Sequence, residues 1–105
     1  MKVWLDDVRP VPDNSWIRTE TAQQTIELLR TEQVEIVSLD HDLGLLEETG
    51  YDVIKWIERM VRSTTDYEPP EIRVHTDNPP ARERMNAAII SILKFIRDDR
   101  EEILV

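Results

Sequence analysis

Apolar positions along the chain fall into two kinds of run, and the kinds alternate. Residues 2–6 (KVWLD) form a short apolar stretch closed by an acidic pair, and residues 34–39 (VEIVSL) form another, closed by Asp40-His41-Asp42. Runs of this length with polar ends predict buried strands. A third strand is predicted over residues 72–76, between the breakers Pro69-Pro70 and Asn78-Pro79-Pro80. Residues 15–19 predict a short edge strand.

Between these runs the period lengthens. Ala22, Ile26 and Leu29 recur at helical spacing behind Thr21-x-x-Gln24, a capping-box pattern, which predicts a helix over residues 21–30. A second helix is predicted over 51–61, where Val53, Ile54, Trp56, Ile57, Met60 and Val61 form a broad apolar stripe. Arg59 and Arg62 lie near its carboxyl end, where the helix dipole favours them. The third, over 80–97, has Asn78 as N-cap and an inward face of Ala81, Met85, Ala88, Ile89, Ile92 and Ile96. Residues 98–105 are expected to be a frayed acidic end or a short added strand. Gly44 and Gly50 bracket a loop and are expected to serve turns of positive φ. Alternation of strand and helix without hairpin signals predicts an α/β fold: one domain over 1–105, with a mainly parallel sheet flanked by helices.

Composition narrows the setting. With 40% hydrophobic and 33% charged residues, the 105-residue chain has the balance of a folded domain. Without cysteine it can form neither a disulfide nor a thiolate zinc site. The first strand starts at once, leaving no room for a cleavable signal peptide, and no apolar run approaches a membrane span, so a cytoplasmic protein is expected. A formal net charge of −9 opposes direct nucleic-acid binding. The same charge draws divalent cations toward any cleft where carboxylates converge.

Such a cleft is predicted. In an open parallel sheet, ligands bind beyond the carboxyl ends of the strands. The three predicted core strands end in Asp6-Asp7, in Asp40-His41-Asp42 and in His75-Thr76-Asp77-Asn78. Singly, each aspartate is a helix cap or a turn residue. Together, four carboxylates repel one another and raise their pKa values unless a cation sits among them. Oxygen ligands suit Mg²⁺ or Mn²⁺. His41 and His75, packing residues in isolation, are candidate proton carriers or ligands at equivalent strand ends. Arg9, Arg82 and Arg84 are candidate anion contacts against an ordinary role as surface charge. Trp4 and Trp56 are expected in the core, and Trp16 in packing or stacking. No Walker, dinucleotide or Gly-x-Ser-x-Gly motif is present.

The acidic pair after the first strand, the Ser38-Leu39-Asp40 strand end and Thr76 after a later strand resemble the receiver domain of two-component response regulators. The resemblance covers residues 1 to about 97. More narrowly, the strings WLDDVRP, SLDHDLG, TGYDV and VHTDNPPARERM resemble a compact receiver-like group associated with cyclic-phosphate processing. It implies a truncated receiver-like, flavodoxin-like fold. By that resemblance Asp6 and Asp7 are the acidic metal pair, and Asp40 accepts phosphate or binds metal. Asp42 falls where receivers turn a backbone carbonyl to the metal, and Thr76 where a hydroxyl meets the phosphoryl group. Two departures are expected: residues 8–14 are too few for a receiver's first helix, and the final strand with its lysine is missing.

The leading expectation is a metal-dependent phosphoesterase acting on a cyclic phosphate or related nucleotide. Asp6, Asp7, Asp40 and Asp42 would form the Mg²⁺ or Mn²⁺ site. His41 or His75 would move protons with Asp40 at the catalytic centre, and Thr76, Asn78, Arg82 and Arg9 would bind phosphate. The alternatives are a phosphate-sensing or phospho-accepting signalling module and a non-catalytic acidic interaction protein. The expected partner is a small phosphate-containing ligand, with a partner protein possible in the signalling readings.

Overall fold

A computed structural model describes residues 1–41 and 49–104, with side chains through Asp99. Asp42, expected in the metal set, and Gly44 lie outside the described residues. Among the described residues, four strands and three helices follow in the order β1 (Lys2–Leu5), β2 (Trp16–Thr19), α1 (Ala22–Leu29), β3 (Ile36–Leu39), α2 (Gly50–Ser63), β4 (Glu71–Val74) and α3 (Pro79–Leu104). The strands form one parallel sheet in the order β2-β1-β3-β4.

Register decides which side chains share a face. Val3 and Leu5 of β1 lie level with Val37 and Leu39 of β3, which in turn lie level with Ile72 and Val74 of β4. This face forms the core with Val53, Ile54 and Ile57 of α2 and Met85 and Ile92 of α3, all nearly or wholly buried. α2 packs against both α1 and α3. The two crossovers through α1 and α2 move the chain the same way across the sheet, and right-handed connections then put both helices on one side. The β1–β2 connection moves the opposite way, and no helix forms in it. The other face, carrying Lys2, Trp4, Trp16, Arg18, Ser38 and Arg73, therefore receives no helix among the described residues. The chain has a receiver-like α/β architecture with its helices on one side.

Local chemistry fixes the helix starts. Thr21 caps α1, with its hydroxyl accepting from the Gln24 amide and Gln24 reaching back to the Thr21 amide. Thr49 and Asp52 form the same reciprocal box on α2. Asn78 accepts from the Ala81 amide at the head of α3, as expected of an N-cap. Under the sheet, Thr25 gives its proton to the Thr21 carbonyl, so Thr19 donates to Thr25 across 2.7 Å and both buried hydroxyls are satisfied.

Three expectations change. Residues 98–104 continue α3 rather than fraying or adding a strand. The stretch contains neither glycine nor proline and is rich in good helix formers, so nothing local stops the helix. Trp4 is only half-buried, because among the described residues no helix covers its side of the sheet. Gly50 opens α2 and has no positive φ. A Cβ there would lie 2.1 Å from the Asp40 carbonyl oxygen, so close approach of helix to strand end is what requires glycine.

Candidate metal centre

The sheet ladder runs one residue past the strands. The Asp6 amide donates to the Thr19 carbonyl at 3.0 Å, the Asp40 amide to Leu5 at 3.1 Å and the His75 amide to Leu39 at 3.0 Å. The residues after β1, β3 and β4 are thus held side by side at the carboxyl edge. There, one carboxylate oxygen from each of Asp6, Asp7 and Asp40 lies within 4.8 Å of the others. The convergence expected from the strand ends is present for these three.

Asp6 is held from several sides. It is 1% exposed, and its Oδ1 accepts the backbone N–H groups of Val8 and Arg9, each at 2.8 Å. Its own carbonyl accepts Nε of Arg18 at 3.1 Å. Its Oδ2 lies 3.1 Å from Nε2 of His75. Burial works to raise the Asp6 pKa, but the two amide bonds and the His75 contact outweigh it and hold the carboxyl below its ordinary value. The expected upward shift is therefore reversed at Asp6, because fixed donors outweigh the effect of burial.

His75 is bound at both nitrogens. Nδ1 lies 2.7 Å from Oγ of the buried Ser38, and the ring stacks on Trp4 with centroids 3.7 Å apart and planes 5° from parallel. Burial pushes the imidazole below its ordinary pKa against the pull of Asp6 and Asp40. A neutral ring beside an ionised, acceptor-only carboxylate carries its proton on Nε2. Nδ1 then accepts, and Ser38 donates to it. The result is a relay of Ser38, His75 and Asp6 on the sheet face opposite α1 and α2.

The phosphate candidates gather around the turn between β4 and α3. Arg9 donates through one terminal nitrogen to the His75 carbonyl at 2.7 Å and pairs through the other with Asp77. Arg82 donates to the Thr76 carbonyl. Thr76 is fully buried, and its hydroxyl oxygen accepts the Asn78 amide at 3.2 Å. Arg84 is exposed on α3. His41 follows Asp40 directly and is half-buried.

Ser38, Trp4, Arg18 and Gly50 support the site without having been singled out for it. Strand alternation carries the signal for two of them. Trp4 and Asp6, Ser38 and Asp40, and Arg73 and His75 are each two apart, so each pair belongs to one sheet face. Gly50 leaves no such trace, since its role depends on how α2 meets β3.

A divalent cation fits the donor set. Asp7 Oδ1 is buried and finds no hydrogen-bond partner among the described residues, an arrangement that costs free energy unless a positive charge satisfies the oxygen. Three converging carboxylates supply hard oxygen ligands, so the cluster could hold such an ion.

No curated protein and no solved structure matches the chain. The family model described as the cyclic-phosphate processing receiver domain matches residues 1–91, a span that takes in all four strands, Asp6, Asp7, Asp40 and the turn after β4. With its parallel sheet and its acidic strand ends, the chain belongs to the family of cyclic-phosphate processing receiver domains.

Proposed function

We propose that the protein is a metal-dependent phosphoesterase of the cytoplasm, acting on a small cyclic phosphate or related nucleotide. The observation that carries this reading is the convergence of Asp6, Asp7 and Asp40, together with a buried oxygen of Asp7 that has no hydrogen-bond partner among the described residues. These three residues would hold Mg²⁺ or Mn²⁺, with Asp42 completing the set. A bound ion of this kind supplies Lewis-acid polarisation of a phosphoryl group.

The chain's own groups divide the remaining work. Asp6 is oriented by two amides and by His75, so its second oxygen is held in place before any ligand arrives. His75 is a positioning residue, since both its nitrogens serve Ser38 and Asp6. Proton transfer falls to His41, beside Asp40. Arg9 and Arg82 brace the turn after β4, and a guanidinium has five donors, so each retains N–H groups for phosphate oxygens. Asn78 and Thr76 hold that turn in shape from within.

A second reading, a phospho-accepting signalling module, is favoured by one observation: Asp40 directly follows β3 in a chain of the receiver family. One experiment separates the two. 2′,3′-Cyclic nucleotides, cyclic oligonucleotides and linear phosphoesters are incubated with the protein and Mg²⁺ or Mn²⁺, and products are resolved by chromatography. Turnover of at least one compound is expected, abolished in Asp40→Asn with an unchanged circular dichroism spectrum. Tight binding without cleavage under either metal rejects the hydrolase. Acid-labile phosphate on Asp40 after treatment with a small phosphodonor would establish the signalling module instead.

A further inference from the structure

Among the described residues, few large hydrophobic side chains stand exposed, and two of them are neighbours on the outer face of α3. Ile90 is 65% exposed and Leu93 59%. Three residues apart, they adjoin on the helix surface. Leu93 also borders a groove lined by Ile89 and by Pro69, Pro70 and Ile72 beside edge strand β4, so the apolar surface continues off the helix. A contiguous patch of this kind on a highly charged chain marks an interaction surface.

The flanking charges say what fits it. Along the same stripe Glu83 lies toward one end, Lys94 and Arg97 toward the other, and Asn86 and Ala87 between; all are exposed. Glu83, Ile90 and Arg97 are seven residues apart, two helical turns, so they form a line with steps of about 10 Å. A second copy laid antiparallel about Ile90 exchanges the ends of that line. Glu83 of each copy then meets Arg97 of the other, with Lys94 one turn away, Ile90 meets its counterpart, and Leu93 covers Ala87. A parallel copy would set Glu83 against Glu83 and Arg97 against Arg97. The stripe is self-complementary in one sense only, that of a two-fold isologous contact.

We propose that α3 is a homodimerisation helix, pairing antiparallel with α3 of a second copy through Ile90 and Leu93, with Glu83 facing Arg97, and Lys94 one turn away, at both ends. The groove beside β4 extends the contact through Leu93.

The test uses the intact chain, which contains no cysteine. Sedimentation equilibrium is expected to show a concentration-dependent dimer. Ile90→Asp should leave only monomer with the far-ultraviolet spectrum unchanged, because the side chain lies outside the core. Under mild oxidation Ile90→Cys should cross-link to itself. Glu83→Cys and Arg97→Cys should each fail to do so alone and should cross-link when mixed. Charge reversal by Glu83→Arg, or by Lys94→Glu with Arg97→Glu, should weaken dimerisation by about tenfold, since each change acts at both ends of the contact. Combining all three reversals should restore it. A wild-type chain that stays monomeric at about 1 mM overturns the proposal. So does self-cross-linking of Glu83→Cys, or a combined variant no tighter than the separate reversals.

Discussion

His75 illustrates how much of a residue's role is set by what touches it. As a lone histidine at a strand end it is an apt proton carrier. In the fold it stacks on Trp4, accepts from Ser38 and donates to Asp6, and no ring nitrogen remains for a reacting group. Partners behind a metal ligand typically change metal affinity by about 10- to 100-fold when lost. His75→Ala is therefore expected to weaken Mn²⁺ binding by a factor of that order, and His75→Gln, which keeps a donor for Asp6, should recover part of it. His41→Gln should leave Mn²⁺ affinity near wild type while depressing turnover. Calorimetric titration with Mn²⁺ reads the affinities, and chromatography of the products reads the turnover. If His75→Ala binds the ion as tightly as wild type and only melts earlier, His75 serves packing alone.

At the level of elements, the chain was legible where pattern and period govern. The capping boxes, the strand centres and the inward face of α3 follow from short-range signals, and Thr21, Asn78 and Met85 stand where those signals predicted. The acidic strand ends were legible for the same reason: parallel strands of equal length put their terminal residues at one edge. What could not be read was produced by contact between elements. Residues 98–104 are the exception, a local one: no breaker intervenes to stop α3, although their acidity suggests an end. Gly50 is the sharpest case, since a loop-edge glycine suggests φ, whereas here the constraint is space against Asp40. Gly50→Ala would ordinarily stabilise by about 0.4–1 kcal/mol through the unfolded chain. At this position its methyl group would meet a backbone oxygen at 2.1 Å, and overpacking costs about 1–3 kcal/mol. The expected outcome is a lower melting temperature with weaker Mn²⁺ binding, as α2 and the Asp40 strand end move apart. A higher melting temperature with unchanged binding would show that the approach is looser than this.

For the whole molecule, the net charge of −9 and the carboxylate cluster must be told apart, because cations relieve both. Diffuse repulsion over the surface is screened by any salt, with a Debye length of about 10 Å at 0.1 M. A bound ion instead stabilises by mass action, about 2.7 kcal/mol when its concentration is a hundred times the dissociation constant. For a domain near this size, 1 kcal/mol moves the melting temperature by roughly 4–8 °C. Saturating Mg²⁺ or Mn²⁺ is therefore expected to raise it by on the order of 10 °C, and NaCl at equal ionic strength by far less. Asp7→Asn separates the two causes, because it removes one negative charge and also a carboxylate ligand of the cluster. If diffuse repulsion dominated, the variant would melt higher than wild type without metal and would still respond to Mg²⁺ almost as strongly. If the cluster binds the ion, the response to Mg²⁺ collapses whatever the starting point, since a ligand is gone. Equal shifts from NaCl and MgCl₂ in wild type, at matched ionic strength, would remove the metal site and with it the catalytic reading.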